Sequence, residues 1–196
     1  PIADLSKPEI RQLASENNIP VAEKKDSQEV CFIPDNDYIS FIEREFNPKA
    51  TPGDFLSSTG EKLGTHSGIY KYTIGQRKGL GIGGRKESLF IIATDVKENV
   101  IYVGEGDSHP GLYRKALKLQ TDALHWVNPA DAMQVGERRS YDVRIRYRQP
   151  LQRAELICRE DGVYILFDEP QRGIAAGQFA AWYDGEELVG SGVIEQ

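Results

Sequence analysis

Beyond Pro52 the apolar residues of this chain come in short runs broken by glycine and turn residues, and helical periodicity fades. A strand needs only a few residues of alternating or apolar character between turn signals, so this texture confines the larger part of the chain to β-structure. Leu89 to Val96 and Val100 to Val103, joined through Lys97-Glu98-Asn99, read as a hairpin. Candidate strands follow at about 116–121, 140–148, 152–158, 163–168, 178–183 and 187–194, with Asp184-Gly185 as a type I′ hairpin link. Six strands at this spacing, with no helix between them, predict a small closed or nearly closed barrel. The expected fold class is mainly β with a few short helices (α+β). A small central domain over 1–108 precedes a six-stranded C-terminal β-barrel over 109–196, with His109-Pro110-Gly111 as the boundary.

The first fifty residues read differently. Ser6, Pro8 and Glu9 have the offsets of an N-cap, an early proline and a capping-box acid, and Ile10, Leu13 and Ala14 repeat with helical spacing. A helix from about Pro8 to Glu16 is expected, ended by Asn17-Asn18-Ile19-Pro20. A second is expected from about Asp37 to Glu45, where Tyr38, Phe41 and Ile42 form an apolar stripe and Asp35 or Asn36 serves as cap.

Two cysteines far apart among 196 residues, with no leader-like apolar run, argue against a secreted disulfide scaffold and for a reducing cytoplasm. No stretch approaches the roughly 20 apolar residues that cross a bilayer, so no membrane partner is expected. The start at Pro1, inside the lead-in to a helix, suggests a piece of a longer protein. The net charge of -6 argues against a uniformly basic nucleic-acid coat. The charge is nevertheless local: six arginines against the single acid Asp142 lie between Arg138 and Arg153, and Lys71, Arg77, Lys78, Arg85 and Lys86 form a second basic run.

Three constellations carry chemistry. Cys31 follows Lys24 and Lys25, whose ammonium groups favour a thiolate, although Val30-Cys31-Phe32-Ile33 also reads as a short buried strand with an inert thiol. Along 140–148, Tyr141, Val143, Ile145 and Tyr147 point to a core, while Asp142, Arg144, Arg146 and Arg148 point away from it. Guanidinium forks at intervals of about 6.6 to 7 Å suit a nucleic-acid backbone, but also suit pairing with acids such as Glu155 on a neighbouring strand. The run from Tyr72 to Gly81 reads as a basic, glycine-rich loop whose backbone can approach a ligand closely, or else as a flexible linker. Neither a strand before Gly79 to Gly84 nor a helix after it is expected, so a dinucleotide site is rejected. His66 paired with Cys31 would make a cysteine hydrolase, but no partnering pattern supports it. With no Cys or His at ligand spacing, no metal site is predicted.

Taken together, Lys24 to Phe32, Gly60 to His66, Tyr72 to Gly81, Arg144-Ile145-Arg146-Tyr147-Arg148 and Ala176-Gly177-Gln178 resemble the bacterial tRNA-specific 2-thiouridylase family, also labelled tRNA (5-methylaminomethyl-2-thiouridylate)-methyltransferase. The motifs come in the family's order through essentially the whole chain. The resemblance implies a three-part enzyme of which this chain is the C-terminal portion, lacking the N-terminal ATP-pyrophosphatase domain that binds ATP with Mg2+. The segment 20–37 would fold back into that domain. The implied reaction is 2-thiolation of the wobble uridine in tRNAs for Lys, Glu and Gln. Cys31 would be the catalytic cysteine, receiving persulfide sulfur from a relay protein and closing a disulfide with a second cysteine as the thiolated base leaves. Arg146, Tyr147 and Gln178 match positions where the family touches tRNA. Arg144, Arg148, Arg77 and Lys78 would extend that surface, and Lys24 and Lys25 would stabilise the thiolate. This portion alone would be inactive. Cys158 matches no catalytic position and is expected in the barrel core. The alternative function is a non-catalytic β-barrel module that binds RNA or protein.

Overall fold

A computed structural model of the chain describes residues 2, 4–20, 22–24, 33 and 37–195. The chain divides into two compact units, Pro1–Pro48 and Lys49–Gln196.

The first unit contains two helices, each started by local side-chain chemistry. At the head of α1 (Lys7–Glu16), the Glu9 carboxylate accepts from the Ser6 backbone N–H at 2.7 Å and from its hydroxyl at 2.5 Å. These bonds hold the Glu9 carboxyl below its ordinary pKa. Helix α2 (Tyr38–Phe46) is capped by Asp37, which accepts from the Ser40 N–H and hydroxyl, rather than by Asp35 or Asn36 as expected. Asn47 ends it in the left-handed conformation.

The second unit is built on two sheets. The first has the order β2-β1-β4-β3 and comprises β1 (Gly53–Ser57), β2 (Lys62–His66), β3 (Leu89–Asp95) and β4 (Val100–Glu105). The expected β3–β4 hairpin is present, its turn fixed by Asp95 accepting from the N–H groups of Lys97 and Glu98. Strands β1 and β4 run parallel. Phe55, Leu80, Leu89, Ile91, Ile101 and Val103 form the core of this sheet. At Gly53 a Cβ would collide with the Asn99 carbonyl and lie 2.6 Å from His66 Nε2, so the close approach there requires glycine.

The second sheet holds β5 (Tyr113–Lys118), β6 (His125–Trp126), β7 (Arg138–Arg144), β8 (Gln152–Arg159), β9 (Gly162–Arg172), β10 (Phe179–Asp184) and β11 (Glu187–Val193), in the order β5-β9-β8-β7-β10-β11-β6. It curls until the chain just past β5 meets the end of β11. One bridge, Leu119 to Ile194, joins these ends, flanked by Gln120 N to Val193 O and Glu195 N to Lys118 O. A single bridge rather than a ladder links these ends, so the sheet is nearly closed, and it has seven strands rather than the expected six because the two-residue β6 pairs with β11. Every second residue points inward: Val143 and Ile145, Ala154, Leu156 and Cys158, Val163, Ile165 and Phe167, Ala180 and Trp182. Cys158 is a free, buried thiol in this core, as expected. Trp182 is fully buried and meets Trp126 edge to face at 5.1 Å. The β10–β11 turn sits at Gly185-Glu186, one residue later than expected, because Asp184 pairs with Glu187.

Among the described residues, no helix is long and apolar enough to cross a membrane.

Candidate nucleic-acid interface

Strand β7 stops where a side chain replaces its ladder partner. The Ile145 N–H donates to Gln149 Oε1 at 3.0 Å, and the Gln149 amide donates to Gln171 Oε1 at 2.9 Å. Gln171, only 6% exposed, in turn donates to the Glu169 carbonyl at 2.8 Å. The Gln149 N–H donates to the Arg146 carbonyl at 3.2 Å, and Arg148 adopts a positive φ of 70°. This corrects the sequence reading of one strand through Arg148. Arg144 ends β7, Arg146 and Arg148 lie in a turn, and no continuous arginine ladder forms. Tyr147, expected on the core face, is 89% exposed.

The arginines divide accordingly. On the sheet, Arg138 pairs with Glu155 at 3.0 Å, and Arg153 with Asp142 at 3.7 Å. The Arg144 guanidinium lies 5.0 Å over the Tyr183 ring, its Nε buried without a hydrogen-bond partner. In the turn, Arg146 Nη2 donates to the main-chain carbonyls of Arg172 and Gly173, the latter at 2.8 Å. Gly173 has φ 62°, and a Cβ there would come 2.9 Å from Arg146 Nη2. Arg148 lies 5.6 Å over the Tyr147 ring.

A cleft of about 610 Å³ opens beside this turn. The loop leading to β3 supplies Thr73, Ile74, Gly75 and Arg77; the barrel supplies Arg146, Arg172 and Gln178; Phe90 and Asp107 also line it. Three residues distant in sequence and singled out there, Arg77, Arg146 and Gln178, are thereby brought together. The loop is pinned as an added partner of β3, with Gly75 N donating to Ile91 O at 2.8 Å and Ile91 N to Gln76 O at 3.0 Å. The Gln76 side chain braces it from within by bonding Thr73 N and Lys78 O. The Gln178 turn is seated by Ile194 N donating to its carbonyl at 2.8 Å. Lys78 is exposed and lines neither this cleft nor the neighbouring hollow of about 530 Å³ along Gly79 to Gly84. Arg144, Tyr147 and Arg148 do not line the cleft.

Cys31 and Lys25 lie outside the described residues. Lys24 is exposed, and its carbonyl accepts from Arg11 Nη2 at 3.4 Å. His66 is a core residue with both ring nitrogens engaged: Nδ1 accepts from Gly68 N, which leaves Nε2 to donate to the Asn99 carbonyl. Its acceptor nitrogen is thus committed to the Gly68 N–H inside the core, which gives no support to the cysteine-hydrolase reading. Among the described residues, no group of three or more His, Cys, Asp or Glu side chains is placed to hold a metal ion.

Sequence reasoning missed Arg172, Gln149 and Gln171. Arg172 ends a long strand without a motif, and its one signal is nearness to Ala176-Gly177-Gln178. The two glutamines act through each other across 22 positions, a pairing no local pattern announces.

Three family models match the chain: the tRNA methyl transferase HUP domain over 1–35, the tRNA methyl transferase PRC-barrel domain over 39–105, and the aminomethyltransferase beta-barrel domain over 116–194. Among curated relatives, the tRNA-specific 2-thiouridylase MnmA of Christiangramia forsetii is 43% identical, covering 99% of this chain and 57% of its own length. That of Flavobacterium johnsoniae is 40% identical with the same coverage. That of Pseudomonas putida strain W619 is 41% identical, covering 100% of this chain and 51% of its own length. The chain thus spans about half the length of the curated relatives it matches.

Proposed function

The chain belongs to the tRNA-specific 2-thiouridylase family, and we propose that it is part of a tRNA-uridine 2-sulfurtransferase whose second unit holds the RNA. The observation that carries this reading is the convergence of Arg77, Arg146 and Gln178 on one cleft, with the exposed Tyr147 in the adjoining turn. Guanidinium and amide donors there suit phosphate and sugar oxygens, and the Tyr147 ring offers a base a stacking surface. Arg148 extends the contact along the backbone, while Arg144 and Lys78 add positive field outside the cleft. Such contacts fix the register of the RNA while the reacting base is splayed into a pocket elsewhere in the protein.

Cys31 supplies the chemistry in this proposal. A relay protein loads it with a second sulfur, and the persulfide attacks as its anion, which Lys24 and Lys25 favour. The terminal sulfur bonds to C2 of the wobble uridine and the activated oxygen departs. A second cysteine of the whole protein then attacks the Cys31 sulfur, breaking the persulfide S–S bond and leaving thiouridine and a disulfide. Activation of C2 calls for ATP with Mg2+. The Gly79 to Gly84 run leads into β3 rather than a helix and does not fit that role. The acceptors in this proposal are tRNAs for Lys, Glu and Gln.

The test is Cys31→Ser in the intact protein, with 2-thiouridine measured by mass spectrometry of digested tRNA. Loss of thiolation with tRNA affinity retained is expected; persisting thiolation overturns the proposal. In the unsubstituted intact protein, Cys31 should alkylate fast at neutral pH and Cys158 only after unfolding. A Cys31 that is equally inert points instead to a binding module without chemistry.

A further inference from the structure

We propose that Arg172 and Arg77 form a two-sided grip on a single phosphodiester of the RNA, one arginine from the barrel and one from the loop of the first sheet. This rests on the tRNA-binding reading above and assigns a residue, Arg172, that neither sequence motif nor resemblance marks.

The argument starts from which arginines have partners. On the same unit Arg85 pairs with Glu61, Arg138 with Glu155, Arg139 with Glu137 and Arg153 with Asp142. Among the described residues, none of the three arginines lining the cleft pairs with a carboxylate, although Asp107 lines the same cleft. Three cations facing one concavity repel each other unless an anion occupies it. The three are not equivalent. Arg146 uses Nη2 to hold the carbonyls of Arg172 and Gly173, so it positions the end of β9. Arg172 itself makes no hydrogen bond through its side chain among the described residues. Its guanidinium lies 5.1 Å over the Phe90 ring, and the residue is exposed. Arg77 is carried by the loop that Gly75 and Gln76 pin to β3, so its backbone is likewise held in place. Both line one cleft, and two guanidinium forks there can share the oxygens of one phosphate. The grip also makes RNA a bridge between the two sheets.

The experiment measures tRNA affinity of the intact protein as a function of salt. Arg172→Met keeps an unbranched stem over Phe90 without the charge, and should weaken binding about tenfold. It should also flatten the slope of log affinity against log salt by about one unit. Arg153→Met removes the same charge from the pair with Asp142, and should leave that slope unchanged. Arg172→Lys, a point charge without the fork, should fall between wild type and Arg172→Met. The double variant Arg77→Met/Arg172→Met should lose less than the product of the two single losses, because both act on one phosphate. Unaltered melting temperatures confirm that the variants fold. If wild type binds tRNA and Arg172→Met binds with the same slope, the grip is wrong and the tRNA reading stands. Strictly multiplicative losses also overturn the shared phosphate. If wild type itself fails to bind tRNA, both readings fall together.

Discussion

Strand β7 and the turn that follows it are both rich in arginine, yet they hold it differently. On the strand, Arg138 meets Glu155 across the ladder and the partly buried Arg144 stacks on Tyr183 of the neighbouring strand. In the turn, Arg148 stands over an exposed ring and Arg146 braces backbone, and neither meets an acid among the described residues. A regular ladder places cross-strand partners opposite each other, where pairing follows from register; a turn has no such opposite strand. The lesson is that arginine count along a stretch does not tell which guanidinium groups meet acids, while the point where regular pairing stops does.

The comparison breaks most forcefully at Ile145, which anchors both regions in the barrel core at 1% exposure. Ile145→Ala should cost about 2–5 kcal/mol in denaturant unfolding, and strand and turn should lose order together in amide exchange. Exchange rising in the turn alone would show that the two are anchored separately. Next in size is Gln171→Leu, which leaves the Gln149 amide without its acceptor. It should cost about 1–3 kcal/mol and weaken tRNA binding even though no charge has changed. An unaffected affinity would mean that the turn holds its shape without the glutamine relay. A sharper and smaller contrast sets Arg144→Ala against Arg148→Ala. The first should lower stability by about 1 kcal/mol with little change in tRNA affinity, and the second should do the reverse. Identical phenotypes would erase the distinction drawn here.

The smallest effect lies at the far end of the same sheet, in the β8–β9 hairpin. The Tyr164 hydroxyl donates to Asp161 at 2.5 Å and holds that carboxyl below its ordinary value of 3.8. A depressed folded-state pKa means the bond favours folding at pH above the ordinary value, and that this contribution fades as pH falls through the lowered one. Tyr164→Phe should return the Asp161 titration, followed by NMR, toward the ordinary value. A curve that does not move would assign the shift to another cause.

What the sequence disclosed follows the range of the interactions involved. Helix α1 was legible because Ser6, Pro8 and Glu9 act within one turn of chain. The barrel was legible because alternation such as Ala154, Leu156, Cys158 records which face is buried. Strand β6, two residues long, owes its existence to β11 and has no pattern of its own. The end of β7 was illegible for a related reason. Tyr141, Val143, Ile145 and Tyr147 continue the alternation without interruption, and only Gln149, held by Gln171, diverts the Ile145 N–H. Of the candidate site, Arg77, Arg146 and Gln178 could be picked out singly. That they share a cleft, and that Arg172 joins them, depends on how β9 and the loop before β3 come together.

The edge-to-face indole pair has a practical corollary. The chain has two tryptophans, Trp126 and Trp182, and both belong to the barrel. Intrinsic emission excited at the red edge therefore watches the barrel and is blind to the four-stranded sheet beside it. Followed alongside circular dichroism, it would separate in one titration the melting of one sheet from that of the other.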